Sequence, residues 1–143
     1  MNNLSVFESR EGKLSCSPGE FFSFICDIRN FERFAPEDKI SGWIAEKETC
    51  SFNVSLIGAV KVVISDRVEF TRVTYKGKAL SDNSFTVNVS IGEDNDGRAA
   101  VKVLLEAELN QMLRMVASKP IKQFLDILVD EMEKFRDWND IKG

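Results

Sequence analysis

A long stretch of period-two alternation, followed by one stretch of helical periodicity, constrains the fold of this chain more than any other feature. Between residues 40 and 107, several segments carry apolar side chains at every second position, as at Val60 and Val62, which is the pattern of strands with one buried face. After Pro120 the period becomes that of an amphipathic helix, predicted over residues 121–138. Such a helix must bury its apolar stripe, and the predicted sheet offers the surface that it would cover.

Seven strands follow from this alternation and from the opening residues. They are predicted at residues 6–15 (interrupted at Gly12), 43–47, 50–56, 60–69, 71–76, 85–91 and 101–107. Short polar turns separate most of them, so the sheet is predicted to be antiparallel. Its inward face is predicted to carry Val62, Ile64, Phe85, Val87, Val101 and Val103.

Helical segments are predicted between the first and second strands. Ser17 and Glu20 have the spacing of a capping box, with Pro18 in the first turn. A break or a short second helix is predicted before Pro36, because the residue before a proline resists helical geometry. With helices at the two ends of the strand run, the pattern predicts an α+β fold whose helices lie on one face of the sheet.

The approach to the final helix carries further signals. Asn110 is a good N-cap residue. The apolar residues after it have helical spacing and comprise Met112, Leu113, Met115 and Val116. Pro120 removes a backbone donor, so we expect it to kink the helix or to mark a new start.

Composition excludes several classes of function. The chain contains no histidine, which excludes Ser-His-Asp and Cys-His catalysis and metal sites that need imidazole. Cys16, Cys26 and Cys50 form no CxxC pair, so neither a structural zinc site nor a redox motif is predicted. No cofactor and no metal site are predicted. The net charge is −4, from 19 basic and 23 acidic residues without a basic run, so nucleic acid is not a predicted partner.

Length and hydropathy bound the organisation of the chain. The 143 residues fit one domain, predicted over 1–143. No secretory signal is visible, and no apolar run approaches the length of a membrane span. The expected location is therefore the cytoplasm.

The order of these elements resembles the START-like superfamily, also called the Bet v 1-like or SRPBCC family. The resemblance rests on the first strand entering residues 17–22 (Ser-Pro-Gly-Glu-Phe-Phe), on residues 27–36 (Asp-Ile-Arg-Asn-Phe-Glu-Arg-Phe-Ala-Pro), and on the last strand leading into a C-terminal helix. In particular, the chain is similar to bacterial polyketide cyclase/dehydrase-like members. The resemblance implies a helix-grip fold, in which a curved seven-stranded antiparallel sheet wraps around the C-terminal helix and leaves a deep apolar cavity.

The first functional hypothesis is binding of a small apolar molecule, which the resemblance implies is lipid, sterol-like or polyketide-like. Eleven Phe against one Tyr favour an apolar interior with few hydrogen-bonding groups. Alternatively, these side chains pack together and leave no pocket. The predicted lining residues, taken from the sheet face and the helix stripe, are Trp43, Phe52, Val62, Ile64, Phe85, Val87, Val103, Phe124, Leu128 and Met132.

The second hypothesis is an enzyme of the cyclase/dehydrase kind. Strict alternation places Asp66 among the inward-facing residues, where burial would raise its pKa. Tyr75 is the only tyrosine and could donate a hydrogen bond to a substrate. The competing interpretation places Asp66 at a strand end, solvated or paired with Arg67 or Lys61.

The third hypothesis is a protein-interaction module. The segment with Met112, Leu113, Met115 and Val116 would lie at a cavity rim, and methionine adapts well to binding surfaces. If these side chains are exposed, they predict association with a partner, including a homodimer. If they are buried, they belong to the core.

Overall fold

The computed structural model describes residues 4–35, 38–54, 58–79, 83–136 and 138, and it confirms an α+β arrangement of antiparallel strands and a long C-terminal helix. The strands are β1 (Leu4–Glu8), β2 (Gly12–Lys13), β3 (Ile40–Ala45), β4 (Thr49–Val54), β5 (Gly58–Val68), β6 (Arg72–Ala79), β7 (Asn83–Glu93) and β8 (Ala99–Glu108). The helices are α1 (Pro18–Ile25), a 3₁₀ helix (Ile28–Phe34) and α2 (Gln111–Lys134).

The strands form one sheet in the order β1-β8-β7-β6-β5-β4-β3, and β2 also pairs with β8. Strands β1 and β2 therefore share one edge of the sheet and together occupy the place of the predicted first strand. At the interruption between them, the Ser9 backbone N–H donates to the Val103 carbonyl at 2.8 Å, and its hydroxyl accepts from the Val103 N–H at 2.9 Å. In the part of the chain that the structure describes, seven strands therefore lie side by side, as predicted, if β1 and β2 are counted as one interrupted strand.

The first helix begins as the sequence predicts, and the predicted break or short second helix is a 3₁₀ helix. In the capping box of α1, the Glu20 N–H donates to Ser17 Oγ at 3.1 Å, and the Ser17 N–H donates to Glu20 Oε1 at 2.9 Å. Asp27 caps the 3₁₀ helix by accepting from the Arg29 N–H at 3.1 Å. Both helices turn phenylalanine side chains into the core, where Phe24 and Phe34 are fully buried.

Helix α2 is longer at its start than predicted and shorter at its end. It begins at Gln111, with Asn110 as N-cap, and it continues through Pro120 without a break. The predicted restart at residue 121 is therefore wrong. Burial of Ala117 one turn before the proline helps to hold the helical path, because packing can compensate for the backbone hydrogen bond that the proline lacks.

The end of α2 is displaced from the predicted residue 138 by aromatic packing. Phe135 adopts an extended conformation with ψ 143° and ends the helix. Trp138 then returns to the core, where its indole N–H donates to Ser15 Oγ at 2.9 Å. The predicted fraying of residues 139–143 lies outside the described residues.

Five aromatic rings meet where α1, the 3₁₀ helix and the end of α2 converge. We call this group the aromatic cluster: Phe21, Phe24, Phe34, Phe135 and Trp138. Ring centroids lie 4.8 Å apart between Phe135 and Trp138 and 5.1 Å apart between Phe24 and Trp138, with edge-on contacts in both pairs. These are the spacings of favourable aromatic pairs, so this end of the molecule is densely filled.

Polar contacts join α2 to the sheet edge formed by β1 and β2. The Arg10 guanidinium pairs with Asp130 and with Glu133, the latter at 2.6 Å, and the Lys13 N–H donates to Glu133 at 2.8 Å. Gly12 permits close approach of β2 and α2, because a Cβ at this position would lie 2.5 Å from Val129 Cγ1.

Among the described residues, no helix is both long enough and apolar enough to cross a membrane.

A register shift in β5 overturns one prediction about the inward face. Ile64 pairs with Tyr75, but Asp66 pairs with Thr74, so the intervening residue bulges. Because directly opposite residues share a face and Thr74 and Tyr75 alternate, Asp66 lies on the opposite face from Tyr75. The Asp66 side chain is 59% exposed and pairs with Arg72 at 3.5 Å.

Candidate functional site

An apolar cavity of about 170 Å³ lies between the inner face of the sheet and helix α2. Strands β3 to β8, the 3₁₀ helix and α2 all contribute side chains, so the sheet wraps around the space. The wall comprises Ile28, Phe31, Ala35, Ile40, Trp43, Cys50, Phe52, Val54, Val60, Val62, Tyr75, Ala79, Asn83, Phe85, Val87, Val89, Leu105, Ala107, Leu109, Ile121, Phe124, Leu125 and Leu128.

Strand register brings the wall residues together in cross-strand rows. Val87 of β7 lies opposite Tyr75 of β6 and opposite Leu105 of β8, and all three line the cavity. Opposite residues in an antiparallel pair share a face, so period-two alternation delivers one row after another to the same space. On β3 and β4, at the opposite edge of the sheet from β1, the rings of Trp43 and Phe52 stack with centroids 5.3 Å apart and form an aromatic part of the wall.

One end of the cavity lies where β4 and β6 end and β7 begins, and we call it the hairpin end. The other end lies toward the aromatic cluster. At the hairpin end the wall includes Val54, Ala79 and Asn83, which are the terminal residues of β4, β6 and β7. Toward the aromatic cluster the wall stops at Val89 and Leu128. Beyond that level the inner-face residues Ile91, Val101 and Val103 are buried in the core.

Seven of the ten predicted lining residues lie in this wall: Trp43, Phe52, Val62, Phe85, Val87, Phe124 and Leu128. Val103 and Met132 are fully buried in the core but do not line the cavity. Met132 lies one turn beyond Leu128 along α2, past the level at which the wall stops. Ile64 is half-buried against the core beside the bulge, also outside the wall.

Several wall residues were absent from the sequence prediction for two different reasons. Val60, Val89 and Leu105 each lie two residues from a predicted inward-facing residue of the same strand. Extending the alternation by one more position would therefore have added them to the predicted wall. Ile28 and Phe31 come from the 3₁₀ helix, whose orientation against the sheet is a tertiary property. No local period in the sequence signals which side of that short helix faces the cavity.

Phe85 owes its position in the wall to a glycine on the neighbouring strand. Gly77 lies opposite Phe85, and a Cβ at Gly77 would lie 2.5 Å from the Phe85 ring and 2.5 Å from the Lys61 carbonyl oxygen. The ring therefore occupies the space that a side chain at Gly77 would fill.

Polar groups are scarce in the wall, and the titratable ones are held neutral. The Tyr75 hydroxyl donates to the Ile25 carbonyl at 2.8 Å, and desolvation raises the pKa of Tyr75 well above its usual value. Burial also raises the pKa of the Cys50 thiol to about 12. Neither group provides a charged form at neutral pH. Asn83 is the third polar residue of the wall.

The two candidate catalytic residues do not meet. Tyr75 faces the cavity with its hydroxyl already engaged, whereas Asp66 is exposed on the other face. The inward position that strict alternation gives Asp66 is wrong because of the bulge after Ile64, and the competing interpretation of a solvated Asp66 holds, although its partner is Arg72 rather than Arg67 or Lys61. Within the described ranges, no three Cys, Asp or Glu side chains lie close enough together to hold a metal ion.

Comparisons with known proteins define the class of fold. No family model matches the chain, and its sequence matches no curated protein. Solved structures do match. Protein CV1439 from Chromobacterium violaceum is 15% identical, with a TM-score of 0.62 over 92% of this chain and 98% of that one.

Two further structures extend the comparison. Norcoclaurine synthase from Thalictrum flavum is 10% identical, with a TM-score of 0.69 over 93% of this chain and 86% of its own. Ara h 8.0201 is 12% identical, with a TM-score of 0.59 over 92% of this chain and 99% of its own. These similarities show that the chain has the Bet v 1-like, helix-grip fold that its sequence resembles.

Proposed function

We propose that this chain binds a small apolar molecule in the cavity between the sheet and α2, acting as one cytoplasmic domain over residues 1–143. The observation that carries the proposal is the cavity itself, whose wall is apolar apart from three residues. Close packing is the rule in protein interiors, so an unfilled apolar space of this size needs a reason.

The size of the cavity narrows the ligand. An apolar cavity of about 150 Å³ accepts a benzene-sized molecule, and this one measures about 170 Å³. It therefore suits a compact ring or a similar apolar group, whether that group belongs to a lipid, a sterol-like or a polyketide-like molecule.

Native mass spectrometry of freshly purified protein, followed by NMR titration with toluene, tests the proposal. We expect either an adduct of an apolar molecule or saturable toluene shifts at Val87, Leu105 and Leu128. A matched Val87→Phe variant should fill the space and abolish both. Absence of an adduct together with absence of saturable shifts in the wild type would overturn the proposal.

Catalysis receives no comparable support from the site. Norcoclaurine synthase, which shares the fold, is an enzyme by name, but a cyclase or dehydrase needs a proton donor or acceptor near its substrate. The titratable residues of this wall are Cys50 and Tyr75, and burial disfavours ionisation of both. Binding is therefore the function that the geometry favours.

A second candidate function, association with a partner, is favoured by one exposed surface. Met112, Met115 and Val116 on the outer side of α2 are 75%, 76% and 64% exposed. Exposed apolar groups of this kind mark interaction surfaces. Sedimentation velocity tests the homodimer: a dimer in the wild type that a Met115→Lys variant dissociates supports it, and a monomer at all concentrations opposes it.

A further inference from the structure

The first turns of α2 expose apolar side chains to solvent. Met112, Met115 and Val116 have the spacing i, i+3 and i+4, so they lie on one side of the helix, and all three are exposed. Lys119 extends the same side by one more turn and is exposed as well. Ala117, on the opposite side, is buried. We call the exposed side, formed by Met112, Met115, Val116 and Lys119, the N-terminal face of α2.

Charges along α2 run in the opposite order to the one that its helix dipole favours. Residues 111–123 contain Arg114, Lys119 and Lys122 and no carboxylate, whereas residues 124–134 contain four carboxylates and one lysine. A helix is stabilised by carboxylates near its N-terminus and by cations near its C-terminus. Among the described residues, neither Arg114 nor Lys119 has a carboxylate partner. Neither the helix dipole nor ion pairing therefore explains these two cations.

The N-terminal face lies at the hairpin end of the cavity. Leu109, a wall residue, directly precedes Asn110, the N-cap of α2. From there the helix runs along the cavity, past Phe124 to Leu128, toward the aromatic cluster. A partner that contacts the N-terminal face therefore meets the molecule at the hairpin end.

We propose that the N-terminal face of α2 docks on the surface of an anionic lipid bilayer. The side chains of Met112, Met115 and Val116 enter the boundary between headgroups and acyl chains, and the Lys119 ammonium group contacts lipid phosphates. Exposed apolar and cationic side chains together on one helix side are typical of a helix that lies in a membrane interface. Docking does not depend on cavity binding, although it brings the hairpin end of the cavity to the lipid.

Charge decides between a bilayer and a second copy of this chain as the occupant of this face. A symmetric dimer would bring the Lys119 ammonium groups of the two copies together, whereas an anionic bilayer neutralises them. The net charge of −4 for the whole chain does not prevent docking. At physiological ionic strength each exposed charge acts over only about 8 Å, so the charge of the face itself determines the attraction.

Co-sedimentation with lipid vesicles tests the inference. The wild type should bind vesicles of equal parts phosphatidylcholine and phosphatidylglycerol at least about tenfold more tightly than vesicles of phosphatidylcholine alone. Lys119→Glu should weaken binding to the anionic vesicles at least about tenfold, and Met115→Ser at least about fivefold. Lys134→Glu is the matched control, because it makes the same charge change on an exposed lysine at the other end of α2. Its binding should stay within about twofold of wild type.

Three results would overturn the inference. The first is a wild type that binds neither kind of vesicle. The second is an equal loss of binding in Lys119→Glu and Lys134→Glu, which would report net charge rather than this face. The third is a wild-type dimer in sedimentation velocity that Met115→Ser dissociates, without vesicle binding, because the face would then belong to a second copy.

Two further measurements keep the result clear. Circular dichroism checks that each variant is folded. If Lys119→Glu does not fold, the wild type decides: a preference for anionic vesicles that high salt abolishes supports docking, and equal binding to both vesicles contradicts it. Toluene binding is measured without lipid, so the failure of cavity binding and the failure of bilayer docking are distinguishable.

Discussion

The two ends of the core use the same kinds of residue and differ in how completely they are filled. At one end, five large rings from α1, the 3₁₀ helix and the residues after α2 meet with centroid spacings of 4.8 to 5.8 Å. At the other end, strands β3 to β8 and the middle of α2 surround about 170 Å³ of space. Phenylalanine side chains contribute both to the aromatic cluster and to the cavity wall.

Chain connectivity explains the difference. The aromatic cluster is built where three helical segments converge on the sheet, so rings can reach it from several directions. The cavity is faced by the sheet on one side and by the middle of α2 with two residues of the 3₁₀ helix, Ile28 and Phe31, on the other. Side chains of ordinary length, such as Val87 and Leu128, then leave space between them. An apolar interior is thus not by itself evidence of a filled one.

Removal of one ring from the aromatic cluster should produce the largest change in stability. Phe24→Ala is expected to lower the free energy of unfolding by about 3–5 kcal/mol, because the ring is fully buried among close neighbours. Phe85→Ala removes the same atoms from the cavity wall and should cost clearly less. Urea denaturation measures both, and equal costs would contradict the contrast between the two ends.

A matched pair of enlargements tests the boundary between the two regions. Val103→Phe, in the packed core, should destabilise the fold by about 1–3 kcal/mol through overpacking. Val87→Phe, in the cavity wall, should cost less than this and remove toluene binding. Thermal unfolding compares the pair, and a Val87→Phe variant as damaged as Val103→Phe would show that no space exists.

Acidification should lower the free energy of unfolding, because two carboxylates accept stabilising hydrogen bonds from arginine side chains in the folded state. Hydrogen bonds from Arg29 lower the pKa of Asp27, and hydrogen bonds from Arg10 lower the pKa of Glu133. Their stabilisation is complete above the ordinary carboxyl pKa values, about 4, and it is lost as the pH falls through the lower folded-state values. The free energy of unfolding should decrease below about pH 4.

The Asp27→Asn variant checks the origin of that acid sensitivity. At neutral pH it should lose about 1–2 kcal/mol, because Asp27 is buried and accepts two hydrogen bonds from the Arg29 side chain. Between pH 7 and pH 3 its free energy of unfolding should fall less than that of the wild type. An identical pH dependence in the two proteins would exclude Asp27 as a source.

The smallest predicted effect concerns the buried hydroxyl of Ser5, which lies opposite the cavity-wall residue Ala107. Ser5→Ala removes a polar group that has no partner among the described residues, so it should raise the free energy of unfolding by up to about 1 kcal/mol. Chemical denaturation of both proteins measures the difference. A loss of stability would show that the hydroxyl is satisfied in solution.

Local patterns predicted the fold and seven residues of the cavity wall, but not the level at which the wall stops. Alternation correctly placed Val62 and Val87, and helical spacing placed Leu128. Asp66 was misplaced because a single bulged residue reverses the facing of everything after it, and alternation carries no sign of such a bulge.

Long-range packing decided the remaining differences. Val103 and Met132 have the same local pattern as true wall residues, yet the packed end of the core encloses them. The inward side of the 3₁₀ helix and the return of Trp138 to the aromatic cluster depend on contacts between distant segments. Such contacts leave no periodic mark in the sequence.

A crystal of the protein pressurised with xenon tests the central claim most directly, because xenon enters apolar cavities. The account predicts a xenon atom between Val87, Leu105 and Leu128, with none inside the aromatic cluster. A space between sheet and helix that contains no xenon and is closed by the side chains of Phe85 and Phe124 would contradict it.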